Sequence, residues 1–133
     1  MKALARRREG WTHDVEIEGG HSIVIDEPAS IGGADEGPSP TRTLAAALAA
    51  CTAITVEMYA DRNGWELGKV EVEVEVESGP NASIEGLTVT LRVPAALEDD
   101  QQARLLEIAG RCPVHRALSG STEVAIEDRI ERL

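Results

Sequence analysis

The run Lys69–Glu77, KVEVEVEVE, leaves the chain less freedom than any other stretch. Val70, Val72, Val74 and Val76 alternate with Glu71, Glu73, Glu75 and Glu77. A period of two puts the valines on one face of a β-strand and the glutamates on the other. A helix would scatter both sets around its axis. Such a strand is covered on its valine face only, which points to an antiparallel sheet with one wet side. The glutamate row reads as that wet side rather than as a cation site, because alternation alone produces it. A returning strand follows the turn residues SGPNAS. LTVTLRV places Leu87, Val89, Leu91 and Val93 on one face, and Pro94 closes it.

The rest of the chain falls into elements around this hairpin. WTHDVEIEGGHSIVIDEP reads as an earlier hairpin, with Val15, Ile17, Ile23 and Ile25 in alternation and Gly19-Gly20 as its turn. ASIGGADEGPSP is a loop. Ser39 then offers an N-cap and Pro40 a first helical position. Leu44, Ala47, Leu48, Cys51, Ile54, Thr55 and Met58 follow at the spacing of one helix face, and Asn63-Gly64 ends the helix. EDDQQARLLEIAG reads as a second helix with acidic residues at its start and Gly110 just past its end. CPVHRALSG reads as a short third helix with Pro113 at its first position, and STEVAIEDRI as a last strand. Strands, helix, strands, helices, strand is an α+β order, with helices packed on antiparallel sheets. The 133 residues fit one domain, 1–133.

Charge narrows the partners. Twenty-four acidic against 13 basic residues give a formal net charge of −11. That argues against nucleic acid and against an anionic membrane surface, both of which reward Lys and Arg. No uninterrupted apolar run reaches the roughly 18 residues of a membrane span. MKALARRREGW has no apolar segment of the secretory kind. A cytoplasmic protein is expected, and there two cysteines are not expected to form a permanent disulfide.

Those two cysteines carry the chemical question. Cys51 lies in the middle of the apolar helix, and Cys112 follows 61 positions later. Cys51 alone fits either a small packing residue or a reactive thiol. Its place far from the start of its own helix means that a thiolate there needs a cation brought from elsewhere. Cys112 sits where an N-cap would, before Pro113, with Arg111 and Arg116 nearby, so it reads as a reactive thiol or as a helix-entry residue. Cys112 and His115 form a C-x-x-H fragment. With His13 and His21 the ligand count for zinc is reachable, but the spacing matches no zinc motif. No Ser-His-Asp signature, P-loop or dinucleotide fingerprint is present.

Together GGADEGPSP, LAAALAACTAITVEMYADRNGW and CPVHRALSG resemble the OsmC/Ohr family, the osmotically inducible and organic-hydroperoxide-resistance proteins, and within it the OsmC-like branch. The likeness runs from Trp11 to Ile126. It implies an intertwined homodimer with active sites at the subunit interface, antiparallel sheets packed around a central cysteine-bearing helix, and no metal or haem cofactor. It implies a thiol peroxidase in which Cys51 attacks an organic hydroperoxide and becomes a sulfenic acid. Cys112 captures that acid as a disulfide, and a dithiol, lipoyl-linked in the best known members, reduces the bond. The family's arginine that holds the thiolate matches Arg8 best among Arg6, Arg7 and Arg8. The glutamate that orients this arginine has no match. Thr41 follows Pro40, and Arg42 comes next. Asp35 or Glu36 could substitute for the carboxylate, and Arg42 could supply the cation. The resemblance therefore leaves a second reading open, a redox sensor or small-ligand binder with little turnover.

Overall fold

The computed structural model describes residues 1–133, which form two compact units, Met1–Ala46 and Ala47–Leu133. The α+β class and the antiparallel sheets are as expected.

In the first unit β1 (Ala3–Glu9), β2 (Thr12–Ile17) and β3 (His21–Ile25) form an antiparallel sheet in the order β1-β2-β3. The β2–β3 hairpin pairs Ile17 with His21 across Gly19-Gly20, whose φ angles of 106° and 86° only glycine adopts without strain. β1 is an addition to the expected pattern. Its sequence ALARRRE has no apolar alternation, and every one of its residues is exposed. It is held by ladder pairing with β2, from Ala3 opposite Ile17 to Arg7 opposite His13, and by cross-strand ion pairs of Arg6 with Glu16 and Arg8 with Asp14.

The loop after β3 is drawn tight. A Cβ on Gly33 would lie 1.8 Å from the Glu27 carbonyl oxygen, and one on Gly37 2.2 Å from the Val24 carbonyl oxygen. No other residue fits at either place. Buried Asp26 organises this loop. Its carboxylate accepts from the Thr12 hydroxyl at 2.8 Å and from the N–H groups of Glu27, Ala34 and Glu36.

Helix α1 (Pro40–Arg62) starts as its sequence predicts. The Ser39 hydroxyl accepts the Arg42 N–H, and proline occupies the first position. It ends at Gly64, with φ 69°. Its buried face differs from the expected one. Leu48, Thr52, Val56 and Ala60 are buried, a row at i, i+4, i+8 and i+12, while Ile54 and Met58 are half exposed. The cause is composition. The helix is apolar all the way round, so no face stands out in the sequence. α1 is also long and apolar enough, at 23 residues and mean hydropathy 1.5, to cross a membrane by length and composition, which corrects the expectation that no segment here passes that test. Its buried row packs instead into the core of the second unit.

That core joins Val56 and Ala60 of α1 to Leu67 and to Leu105 and Ala109 of α2 (Asp99–Ala109). The apolar faces of β4 (Glu71–Ser78) and β5 (Ile84–Arg92) and their extensions add Val70, Leu91 and Val93. The two strands pair from Glu71 opposite Arg92 to Ser78 opposite Ile84, and the glutamates of β4 face water as expected. α2 begins with a capping box between Glu98 and Gln101. Gly110 follows it in a right-handed conformation, φ −69°, so the chain turns straight into α3 (Pro113–Leu118). The strand expected over STEVAIEDRI does not form. Residues 123–133 pair with no strand of this chain, and Val124 and Ile126 are exposed. Alternation provides a face but not a ladder partner.

Leu105 is fully buried at the meeting of α1, α2 and the sheet. Leu105→Ala is expected to cost about 2–5 kcal/mol, read as a lower urea midpoint at unchanged slope.

Candidate functional site

The second unit brings the two cysteines together. Cys112 is the N-cap of α3, fully buried, with extended backbone (φ −61°, ψ 141°) and its sulfur in the place usually taken by a serine or aspartate oxygen. Pro113 occupies the first helical position and needs no partner for its nitrogen. The His115 N–H donates to Cys112 Sγ at 3.2 Å. From α1, the Thr52 hydroxyl donates to the same sulfur at 3.9 Å.

Cys51 precedes Thr52 and is partly buried; both thiols are free. Cys51 lies near enough to Cys112 for the two thiols to influence each other. Burial pushes the Cys51 thiol above its ordinary range, and Cys112 adds to that. The Val114 N–H and the Thr55 hydroxyl pull the other way. The donor from Val114 corrects the sequence expectation that no helix N-terminus helps Cys51. Its own helix gives none, but the first turn of α3 does. Chain folding over 61 positions, not local spacing, supplies it. The contacts that favour the thiolate are neutral donors.

The arginines flanking Cys112 serve other partners or solvent. Arg111 pairs with Glu107 on α2, and Arg116 is exposed. His115 Nδ1 is buried without a hydrogen-bond partner. No three His, Cys, Asp or Glu side chains converge to hold a metal ion.

The first unit holds Arg8. Its guanidinium pairs with Asp14 on β2 and, at 3.1 Å, with Glu36 in the loop. The hydrogen bond and charge of Asp14 raise the guanidinium pKa further. Of the two loop carboxylates weighed from sequence, Glu36 reaches the arginine. Arg8 and Glu36 line a cleft of about 260 Å³ with Trp11, Thr12, Gly33 and Ala34. Beneath it lies Asp26, whose bond to the Glu36 N–H places that glutamate. Sequence reasoning passed over Asp26 and Thr52. The signal for Thr52 was present, a hydroxyl directly beside a thiol on an apolar helix.

Known proteins resemble this chain in sequence and in fold. Residues 33–127 match the family described as OsmC-like protein. An uncharacterized protein of Haloferax volcanii is 31% identical over 100 residues, 73% of this chain and 76% of that protein. Among solved structures, an OsmC-like protein of Mycoplasma pneumoniae superposes with a TM-score of 0.77 at 18% identity, over 90% of this chain and 86% of its own. A Vibrio cholerae protein, described as an organic hydroperoxide resistance protein with captopril in one of its active sites, superposes with a TM-score of 0.66 at 27% identity, over 90% and 85%.

Asp26 makes the first unit sensitive to acid. Burial favours its neutral form, but the Thr12 hydroxyl and the N–H groups of Glu27, Glu36 and Ala34 outweigh that and hold its pKa below the usual carboxylate value. A depressed folded-state pKa stabilises above the unfolded value, about 3.9, and the contribution fades as pH falls through the folded one. Asp26→Asn is therefore expected to lower the urea midpoint at pH 7 and to flatten its decline below about pH 4. Parallel curves for variant and parent would contradict this.

Proposed function

The chain belongs to the OsmC-like protein family, and on that footing we propose that it is a thiol peroxidase for organic hydroperoxides. The observation that carries the reading is the pair itself: two free thiols, 61 positions apart in sequence, that folding brings near enough for Cys112 to influence the Cys51 thiol. In this reading Cys51 Sγ attacks the outer oxygen of the O–O bond. The alcohol leaves, and Cys51 becomes a sulfenic acid. Cys112 Sγ then attacks that sulfur, the S–S bond forms, the S–O bond breaks and water leaves. A dithiol reductant, lipoyl-linked by family resemblance, returns the pair to thiols by two exchange steps. The apolar surface of α1 around Cys51 suits an alkyl or fatty-acyl peroxide better than hydrogen peroxide.

Arg8 is the cation of this scheme. Its hold by Glu36 and Asp14 supports that role, because Glu36 supplies the orienting carboxylate that Thr41 lacks. A homodimer that completes the site fits the same picture. Ile54 and Met58 leave an apolar helix surface half exposed in the single chain, and a partner's surface would cover it. We place the protein in the cytoplasm, where a reduced resting pair is maintained.

One observation favours a second reading, a redox sensor or small-ligand binder. The Cys51 thiol is pushed up. A thiol that stays protonated attacks peroxide slowly.

Stopped-flow oxidation of the reduced protein separates the two. The expected result is faster reaction with cumene hydroperoxide than with hydrogen peroxide, ending in a Cys51–Cys112 disulfide seen by peptide mass spectrometry. Cys51→Ser abolishes the reaction. Cys112→Ser leaves one turnover and a sulfenic acid that dimedone traps. Oxidation no faster than that of a free thiol gives the second reading its place.

A further inference from the structure

Thr52 is the one polar residue in the buried row Leu48, Thr52, Val56 and Ala60 of α1, and it is wholly buried. A threonine within a helix commonly turns its hydroxyl back to the carbonyl four residues earlier. Thr43, near the start of the same helix, does so, donating to the Ser39 carbonyl at 2.9 Å. Thr52 does not. Its hydroxyl goes to Cys112 Sγ at 3.9 Å. A hydroxyl in an apolar row is unfavourable unless it is bonded, so this position is explained by the sulfur it faces. Cys112 Sγ accepts the His115 N–H as well, so two donors on different elements fix where this sulfur sits.

We infer that the Thr52 hydroxyl holds Cys112 as the attacking sulfur in closure of the disulfide. This rests on Cys51 and Cys112 being a reacting pair, and it adds a division of labour. Cys51 meets the oxidant. Thr52 prepares the second thiol and has no part in the first step.

The test uses 4,4′-dithiodipyridine with the reduced full-length protein, so that no peroxide chemistry is assumed. Cys112 is fully buried, so the more accessible Cys51 thiolate attacks the reagent first. That step leaves a mixed disulfide on Cys51 and releases one pyridine-4-thione. Cys112 then attacks the Cys51 sulfur, the internal disulfide forms and a second thione leaves. Thr52→Val, which keeps the shape and removes the hydroxyl, is expected to slow the second release by about three- to tenfold and to leave the first within about twofold. Thr52→Ser restores the second rate. Thr52→Ala repeats the loss, so that a packing fault of valine alone is separated from loss of the hydroxyl. A second release as fast in Thr52→Val and Thr52→Ala as in the parent overturns the inference. So does a slowing that serine does not reverse. A parent protein that ends with two pyridyl adducts and no internal disulfide removes the reacting pair itself, and this is seen before any variant is compared.

Discussion

A sulfur atom caps a helix in this protein, and it ties that helix to the buried row of α1. Cys112 takes the N-cap of α3, so its side chain must turn toward the first free N–H groups of that helix. Pro113 fixes the entry angle, and the contact between Thr52 and Cys112 joins α3 to the buried row of α1. A serine oxygen could cap the same turn. Only sulfur does so and also meets the Cys51 thiol with two-electron chemistry available to both. The cap, the packing and the thiol pair therefore share one atom, and a change at Cys112 disturbs all three.

The electrostatics divide between the two units. At the thiol pair, neutral donors and burial act: Val114 and Thr55 on Cys51, His115 and Thr52 on Cys112. Of the charges beside them, Arg111 pairs with Glu107 and Arg116 faces solvent. In the first unit the reverse holds. Arg8 has carboxylates on two sides, and its half-exposed position makes each ion pair weak on its own. Their value is geometric. Asp14 comes from a strand and Glu36 from a loop that Asp26 fastens, so the guanidinium is oriented by two separate elements.

Much of this was legible in the sequence, and the limits have physical causes. The Val/Glu alternation produced β4 with its wet face, Ser39-Pro40 the start of α1, and Cys112-Pro113 the cap of α3, because each is a local rule acting on a few neighbours. The pairing of Cys51 with Cys112 was reached through family resemblance. β1 was missed because an exposed edge strand needs no apolar alternation, only a neighbour's ladder. The last strand was expected from Val124 and Ile126, which have alternation and no ladder. The buried face of α1 was misjudged because a helix apolar on all sides has no face until its neighbours choose one. The donor from Val114 to Cys51 could not be read at all, since no local pattern links positions so far apart.

In the proposed scheme, the position of the missing family glutamate can be taken over from another element. The proposed chemistry calls for a guanidinium held by a carboxylate, and that carboxylate need not come from the first turn of the helix. Here Thr41 occupies that turn, and Glu36 approaches from the preceding loop. The loop can do this only because it is rigid at both ends. Gly33 and Gly37 let its backbone pass within contact of Glu27 and Val24, where any Cβ would collide. Asp26 fixes the amide of Glu36 from below. A carboxylate on a loose loop would lose its hold on the arginine to solvent and side-chain entropy. The three residues that seem least chemical, two glycines and a buried aspartate, are what hold Glu36 where it pairs with Arg8.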